Sequence, residues 1–124
     1  MRDYRRLKVF QRSHAFALRT YRVTHAYPSD ERFGLVAQTR RSVASIPMNI
    51  AEGSGRSTEG DYARFITYAA ASCNEADYQL LLARDLGYLP AAEFDPMRRE
   101  LSELRSMLTS LARTLSHPDE TGPA

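Results

Sequence analysis

At 124 residues the chain suits a single domain with a real hydrophobic core and is too short for two. Hydrophobic residues at 43% and charged residues at 26% are ordinary globular values. One cysteine and no early apolar run argue against a disulfide scaffold, a signal peptide and a membrane span, so the expected location is cytoplasmic. The net charge of +2 hides an asymmetry: residues 1–64 hold eleven Arg and one Lys against six acids, a balance of +6, and residues 65–124 hold five Arg against nine acids, a balance of −4.

Residues 1–6 carry no packing pattern and are expected to be mobile. The first helix is predicted from Leu7 to Tyr27. Val9, Phe16, Thr20, Val23 and Tyr27 share a heptad-like seam that Phe10, Ala17 and Tyr21 broaden, and Pro28 ends it. The second helix is expected to start near Asp30 and Glu31, two acids suited to a helix N-terminus, and to stop around Gly53 and Gly55. Along it Val36, Val43, Ile46 and Ile50 form an apolar row with Thr39 in the gap. Gln38, Arg41, Ser45, Asn49, Glu52 and Arg56 form a second, polar row.

Pro47 lies between the two rows. A proline inside a helix removes one backbone donor and presses on the preceding turn, at about 3 kcal/mol, so packing or assembly must offset it and a kink is expected. Arg41 and Asn49 are candidates to satisfy the backbone groups that Pro47 loosens, and Glu52 and Arg56 are spaced to pair across the helix end.

The third helix opens with Thr58 and Asp61 spaced as a capping box, then carries Ile66, Ala69, Cys73, Ala76, Leu80, Ala83 and Gly87 in alternating steps of three and four, with Gly87 as C-terminal cap. Helix four shows Met97, Leu101, Leu104, Leu108, Leu111 and Leu115 in the same rhythm. It is predicted to begin with Asp95 as cap and Pro96 at the first helical position, after a lead-in from Ala91 to Phe94. The bundle is thus read over residues 7–115, and the tail 116–124 is expected to be mobile. Short connections favour antiparallel neighbours, so the fold class is all-α, an antiparallel up-down-up-down four-helix bundle with a proline-kinked second helix.

The phrase SIPMNIAEGSGR, which closes the segment from Phe33 to Arg56, resembles the signature of the four-helix-bundle family of ribosomal-RNA intervening-sequence proteins. Relatives of that family include the accessory protein of diversity-generating retroelements. The resemblance implies the same bundle fold and homopentamers arranged around an axis. Its retroelement relatives are basic barrels that engage nucleic acid and a reverse transcriptase, while much of the family has no assigned biochemical activity.

Helix three has more apolar surface than one core needs. Tyr62, Phe65, Tyr68, Tyr78, Leu81, Leu82 and Leu86 lie beside its seam, and Tyr68, Tyr78, Leu81 and Leu82 are taken as an oligomer interface. In helix one, Arg5, Lys8, Arg12, Arg19 and Arg22 recur within about a 100° sector, a basic stripe to which Arg40 and Arg41 add charge. Forked guanidinium groups suit the phosphate oxygens of RNA or DNA. The competing reading is a solvated face partly paired with Glu93, Glu100 and Glu103 of helix four. Aromatic residues are not interleaved with these arginines, so any nucleic-acid contact should be backbone-directed.

No enzymatic activity, metal or cofactor is expected. Cys73 sits on an apolar seam, His14, His25 and His117 are scattered, and Gly53, Gly55 and Gly60 follow no strand. The expected function is a homo-oligomeric bundle acting as a nucleic-acid-associated adaptor, with a protein-only scaffold that recruits another protein as the alternative.

Overall fold

Apolar side chains recurring every three or four residues need a shared interior, and four helices supply it. The computed structural model describes residues 2–117, which form α1 (Lys8–Thr24), α2 (Leu35–Ser54), α3 (Glu59–Asp85) and α4 (Ala91–Ser116), with 3-10 turns at Tyr4–Arg6 and Ser29–Glu31 and no strand among the described residues. Each helix packs on the next, and α4 returns to touch α1. Val43, Ile46 and Ile50 of α2, Ile66, Ala69, Ala76, Leu80 and Ala83 of α3, and Met97, Leu104 and Leu108 of α4 are fully buried between them. Burying each large aliphatic side chain stabilises the fold by about 1.5–3 kcal/mol, which opposes the conformational entropy lost on ordering the chain. No helix among the described residues is long and apolar enough to cross a membrane.

The ends of α3 follow the expected chemistry. Thr58 Oγ1 accepts from the Asp61 backbone N–H at 3.1 Å. At the other end Gly87 turns left-handed with φ of +83°, and the Gly87 and Tyr88 amides close back on the Arg84 and Ala83 carbonyls, each at 2.9 Å.

Two helix starts differ from the sequence expectation. α2 begins at Leu35 and not near Asp30, because Asp30 and Glu31 belong to a separate 3-10 turn that Gly34 divides from the helix. Glu31 still serves α2, since its Oε1 accepts from the Leu35 amide at 3.2 Å. α4 begins at Ala91 with Pro90 as its N-cap, so Ala91 to Phe94 are helical, Asp95 is no cap and Pro96 lies inside the helix. Phe94 is the reason: its ring is buried at 1% exposure and anchors the first turn to the core.

α1 also ends before Tyr27, at Thr24, although Tyr27 remains buried. Ahead of α1, Tyr4 packs edge-on against Phe10 with ring centroids 4.8 Å apart, an arrangement that the apolar periodicity did not indicate. Of the tail expected to be mobile, residues 118–124 lie outside the described residues.

Candidate functional site

Helix one places Arg12 and Arg19, two residues of the predicted basic stripe, beside the acids of α4. Arg12 donates from Nε to Glu100 Oε2 at 3.1 Å and from Nη2 to Glu100 Oε1 at 2.6 Å, and the same Nη2 lies 3.2 Å from Glu103 Oε2. The hydrogen bond to Glu100 holds the Arg12 guanidinium even further above neutrality than usual. Arg19 meets Glu93 at 3.4 Å. Arg5 does not share the helix: it sits in the 3-10 turn before Leu7, where Asp3 pairs with it at 3.1 Å and is itself held below the usual carboxylate range by that bond.

Arg40 of α2 bonds Thr24 Oγ1 at 2.9 Å and the Tyr21 carbonyl at 3.1 Å, and its guanidinium lies over the Tyr21 ring. Lys8, Arg22 and Arg41 remain exposed and without an ion pair among the described residues. The structure therefore divides the sequence-predicted cations into a paired group and a free group. Arg12 and Arg19 are paired by Glu93, Glu100 and Glu103, the three acids weighed against a nucleic-acid role from the sequence, whereas Asp3 pairs Arg5.

Three of the motif residues, Glu52, Gly53 and Arg56, meet at the corner where α2 hands over to α3. Gly53 is buried, and a Cβ built there would stand 2.8 Å from Phe65 Cβ and 3.0 Å from Tyr62 Cδ1, so only glycine allows this approach of the two helices. Glu52 Oε1 accepts from Arg56 Nη2 at 2.6 Å, and the Arg56 guanidinium covers the Phe65 ring at 4.4 Å. Arg2, which no periodicity marked, reaches this corner from the N-terminus. It donates to the Arg56 carbonyl at 2.7 Å, pairs with Glu59 and lies 4.7 Å from the Tyr62 ring centroid. The sequence signal available for Arg2 was only its charge.

Around Pro47 the expected assistance is partial. Asn49 Nδ2 donates to the Ser45 carbonyl at 2.8 Å, one turn back, and so does not serve the Val43 carbonyl that a non-proline residue 47 would have used. Arg41 and Gln38 point to solvent. Ser45 joins α2 to α3 through the Ser72 hydroxyl at 2.5 Å, and Ser42 does so through Glu75 Oε1 at 2.9 Å.

On the outer side of α3, Tyr68 and Tyr78 are 45% and 61% exposed, whereas Leu81 and Leu82 are half-buried and pack against the core. Tyr62, counted from the sequence with the surplus face, is buried. Cys73 lies on the buried seam, where desolvation pushes its thiol to about 12, a state unsuited to nucleophilic chemistry near neutrality.

The comparisons with known proteins agree with this architecture. A crystal structure of a protein of unknown function from the S23 ribosomal protein family of Bacteroides thetaiotaomicron superposes with a TM-score of 0.77 at 25% identity, covering 86% of this chain and 99% of that one. No curated protein matches the chain. The model of the 23S rRNA-intervening sequence protein matches residues 5–110, a span that runs from the N-terminal turn through the motif corner and into α4, and the chain belongs to that family.

Proposed function

We propose that this chain is a non-enzymatic, cytoplasmic building block of a homo-oligomer, a pentamer by the family resemblance, whose assembled surface works as a scaffold. The observation that carries the reading is the exposure of Tyr68 and Tyr78 on one helix whose opposite seam already fills the core. Met48 on α2, at 66% exposed, adds a large apolar side chain that the single chain leaves in water. An antiparallel up-down-up-down order is supported by the pairing: Arg12 and Arg19 meet Glu100 and Glu93, and Asn74 and Asp77 meet Arg105 and Arg98, rising on one helix as they fall on the other. A bend of α2 at Pro47 would set the angle at which neighbouring bundles meet.

The test is Tyr78→Glu, examined by light scattering and circular dichroism. Leu82→Glu would confound assembly with stability, because Leu82 packs on the core. The substitution should yield smaller species that stay helical. A monomeric wild type at micromolar concentration overturns the oligomer, and an unchanged Tyr78→Glu oligomer overturns this face.

A second reading, favoured by the unpaired Lys8, Arg22 and Arg41, is that the oligomer also associates with RNA or DNA backbones through the α1 side. Its test is Lys8→Gln with Arg22→Gln, which should weaken binding of a mixed-sequence duplex at low salt. A protein-only scaffold would bind none.

A further inference from the structure

Three of the four acids of α4 lie on the flank away from Arg98 and Arg105, while Asp95 lies beside Arg98 and Arg99. Glu93, Glu100 and Glu103 turn toward α1 and hold Arg19 and Arg12. Arg98 and Arg105 turn toward α3, where Arg98 Nε donates to Asp77 Oδ1 at 3.2 Å and Arg105 Nη1 donates to Asn74 Oδ1 at 3.1 Å. Arg113, two turns beyond Arg105 on the same flank, has no carboxylate partner among the described residues. The acidic balance of the C-terminal half thus conceals a basic stretch around Arg105 and Arg113, because Glu93, Glu100 and Glu103 face the arginines of α1 and Asp77 is taken up by Arg98.

Arg105 and Arg113 border an open groove of about 660 Å³ between α3 and α4. Thr67, Ala70 and Ala71 line its α3 side, and Ser106, Thr109 and Ser110 line its α4 side. The Asn74 amide nitrogen remains a donor at the rim, since only its oxygen is taken by Arg105. No acid lines the groove, and neither does any aromatic or large aliphatic side chain.

The geometry points to a phosphodiester backbone, RNA or DNA, as the occupant of this α3–α4 groove, with Arg105 and Arg113 as its phosphate contacts. Arg, Ser, Thr and Asn donors are the groups that phosphate oxygens take. A protein partner would need a desolvated aromatic or aliphatic anchor, and this groove offers none. From Arg98 to Arg113 the flank runs about 22 Å along the helix, long enough to follow several nucleotides. The partner class is shared with the second reading above, but the contact lies on the other side of α4, and the two can fail separately.

The experiment titrates the full chain into labelled mixed-sequence DNA and RNA duplexes, comparing wild type, Arg105→Gln with Arg113→Gln, and Lys8→Gln with Arg22→Gln. Circular dichroism and light scattering confirm equal folding and assembly, and Arg113→Gln alone serves if the pair perturbs either. Loss of two phosphate contacts should reduce by about tenfold, per contacting protomer, the ratio of affinities between about 50 and about 200 mM salt. The proposal holds if the groove variant shows that loss. It is overturned if the groove variant binds like wild type while the α1 variant weakens, in which case the α1 reading survives. Absence of wild-type binding at about 50 mM salt overturns both. Polyglutamate binding that depends on Arg105 and Arg113, with no duplex binding, overturns the phosphodiester and makes the occupant an acidic polypeptide.

Discussion

Arg12 of α1 and Glu100 of α4 meet through two side-by-side hydrogen bonds, at 3.1 and 2.6 Å, with both side chains about one-third exposed. The forked geometry fixes the rotation of α1 against α4, a seam with few other side-chain bonds. A double-mutant cycle with Arg12→Ala and Glu100→Ala should return a coupling of about 0.5–1 kcal/mol, the range for partly exposed pairs, falling as salt rises. A coupling of zero in urea denaturation would leave α1 held to α4 by apolar contact alone.

Gly53→Ala should destabilise the fold, although alanine is the better helix former by about 1 kcal/mol. The added methyl would press on Phe65 Cβ at 2.8 Å and stand 3.2 Å from the Tyr62 carbonyl oxygen, atoms close to the α3 backbone that cannot swing away. Overpacking of this kind costs about 1–3 kcal/mol, and thermal melting will show which effect wins. An unchanged or raised Tm would mean that α3 slides outward without loss.

Tyr27 buries a hydroxyl with no hydrogen-bond partner among the described residues, and burial pushes its phenol to about 12. Tyr27→Phe removes the stranded group and keeps the ring, so stability at neutral pH should hold or rise by about 1 kcal/mol. The alkaline side separates the two proteins further. Between the ordinary phenol value of 10.0 and about 12 the unfolded chain loses a proton that the folded chain keeps, so wild-type stability falls as pH rises through that window. The loss due to this group is about 2–3 kcal/mol, and the phenylalanine variant lacks it. Urea denaturation at matched pH values reads the difference, and parallel curves would show that Tyr27 finds a partner.

Pro47→Ala restores the amide that can reach the Val43 carbonyl, worth up to about 3 kcal/mol to α2, while loss of the buried ring removes some packing. Helix content should be kept and assembly altered. A variant with wild-type oligomer size and subunit arrangement would leave the proline without a role in assembly.

Period and the two caps of helix three were legible in the sequence, and most relationships across the fold were not. The helix-three row Ile66, Ala69, Cys73, Ala76, Leu80 and Ala83 is buried as its spacing requires, because a helix seam depends only on neighbours three and four residues away. Pro96 misled for the same reason: locally it resembles a first helical residue, and only the burial of Phe94 against the core moves the start of α4 to Ala91. Arg2 at the motif corner acts across the fold, beyond what a periodic pattern encodes, whereas Glu31 was legible as an acid for the start of α2 but not as part of a separate turn. The stripe on α1 was visible as charge, and its pairing followed once α4 was read as its neighbour. The arginines facing α3 were invisible, since summing charges over residues 65–124 sets them against Glu93, Glu100 and Glu103, which face α1.

Gly87 bears on the handedness of the chain itself. Its left-handed backbone closes α3, and an L side-chain carbon built there has no atom within 4 Å, so only the backbone conformation disfavours an L-residue. An L-residue there is strained by its own backbone, whereas a D-residue finds that conformation natural. A chemically synthesised chain with D-alanine at this one site would therefore keep the turn, restrict the unfolded ensemble and gain up to about 1 kcal/mol, so a single mirror-image centre would make the all-L bundle firmer.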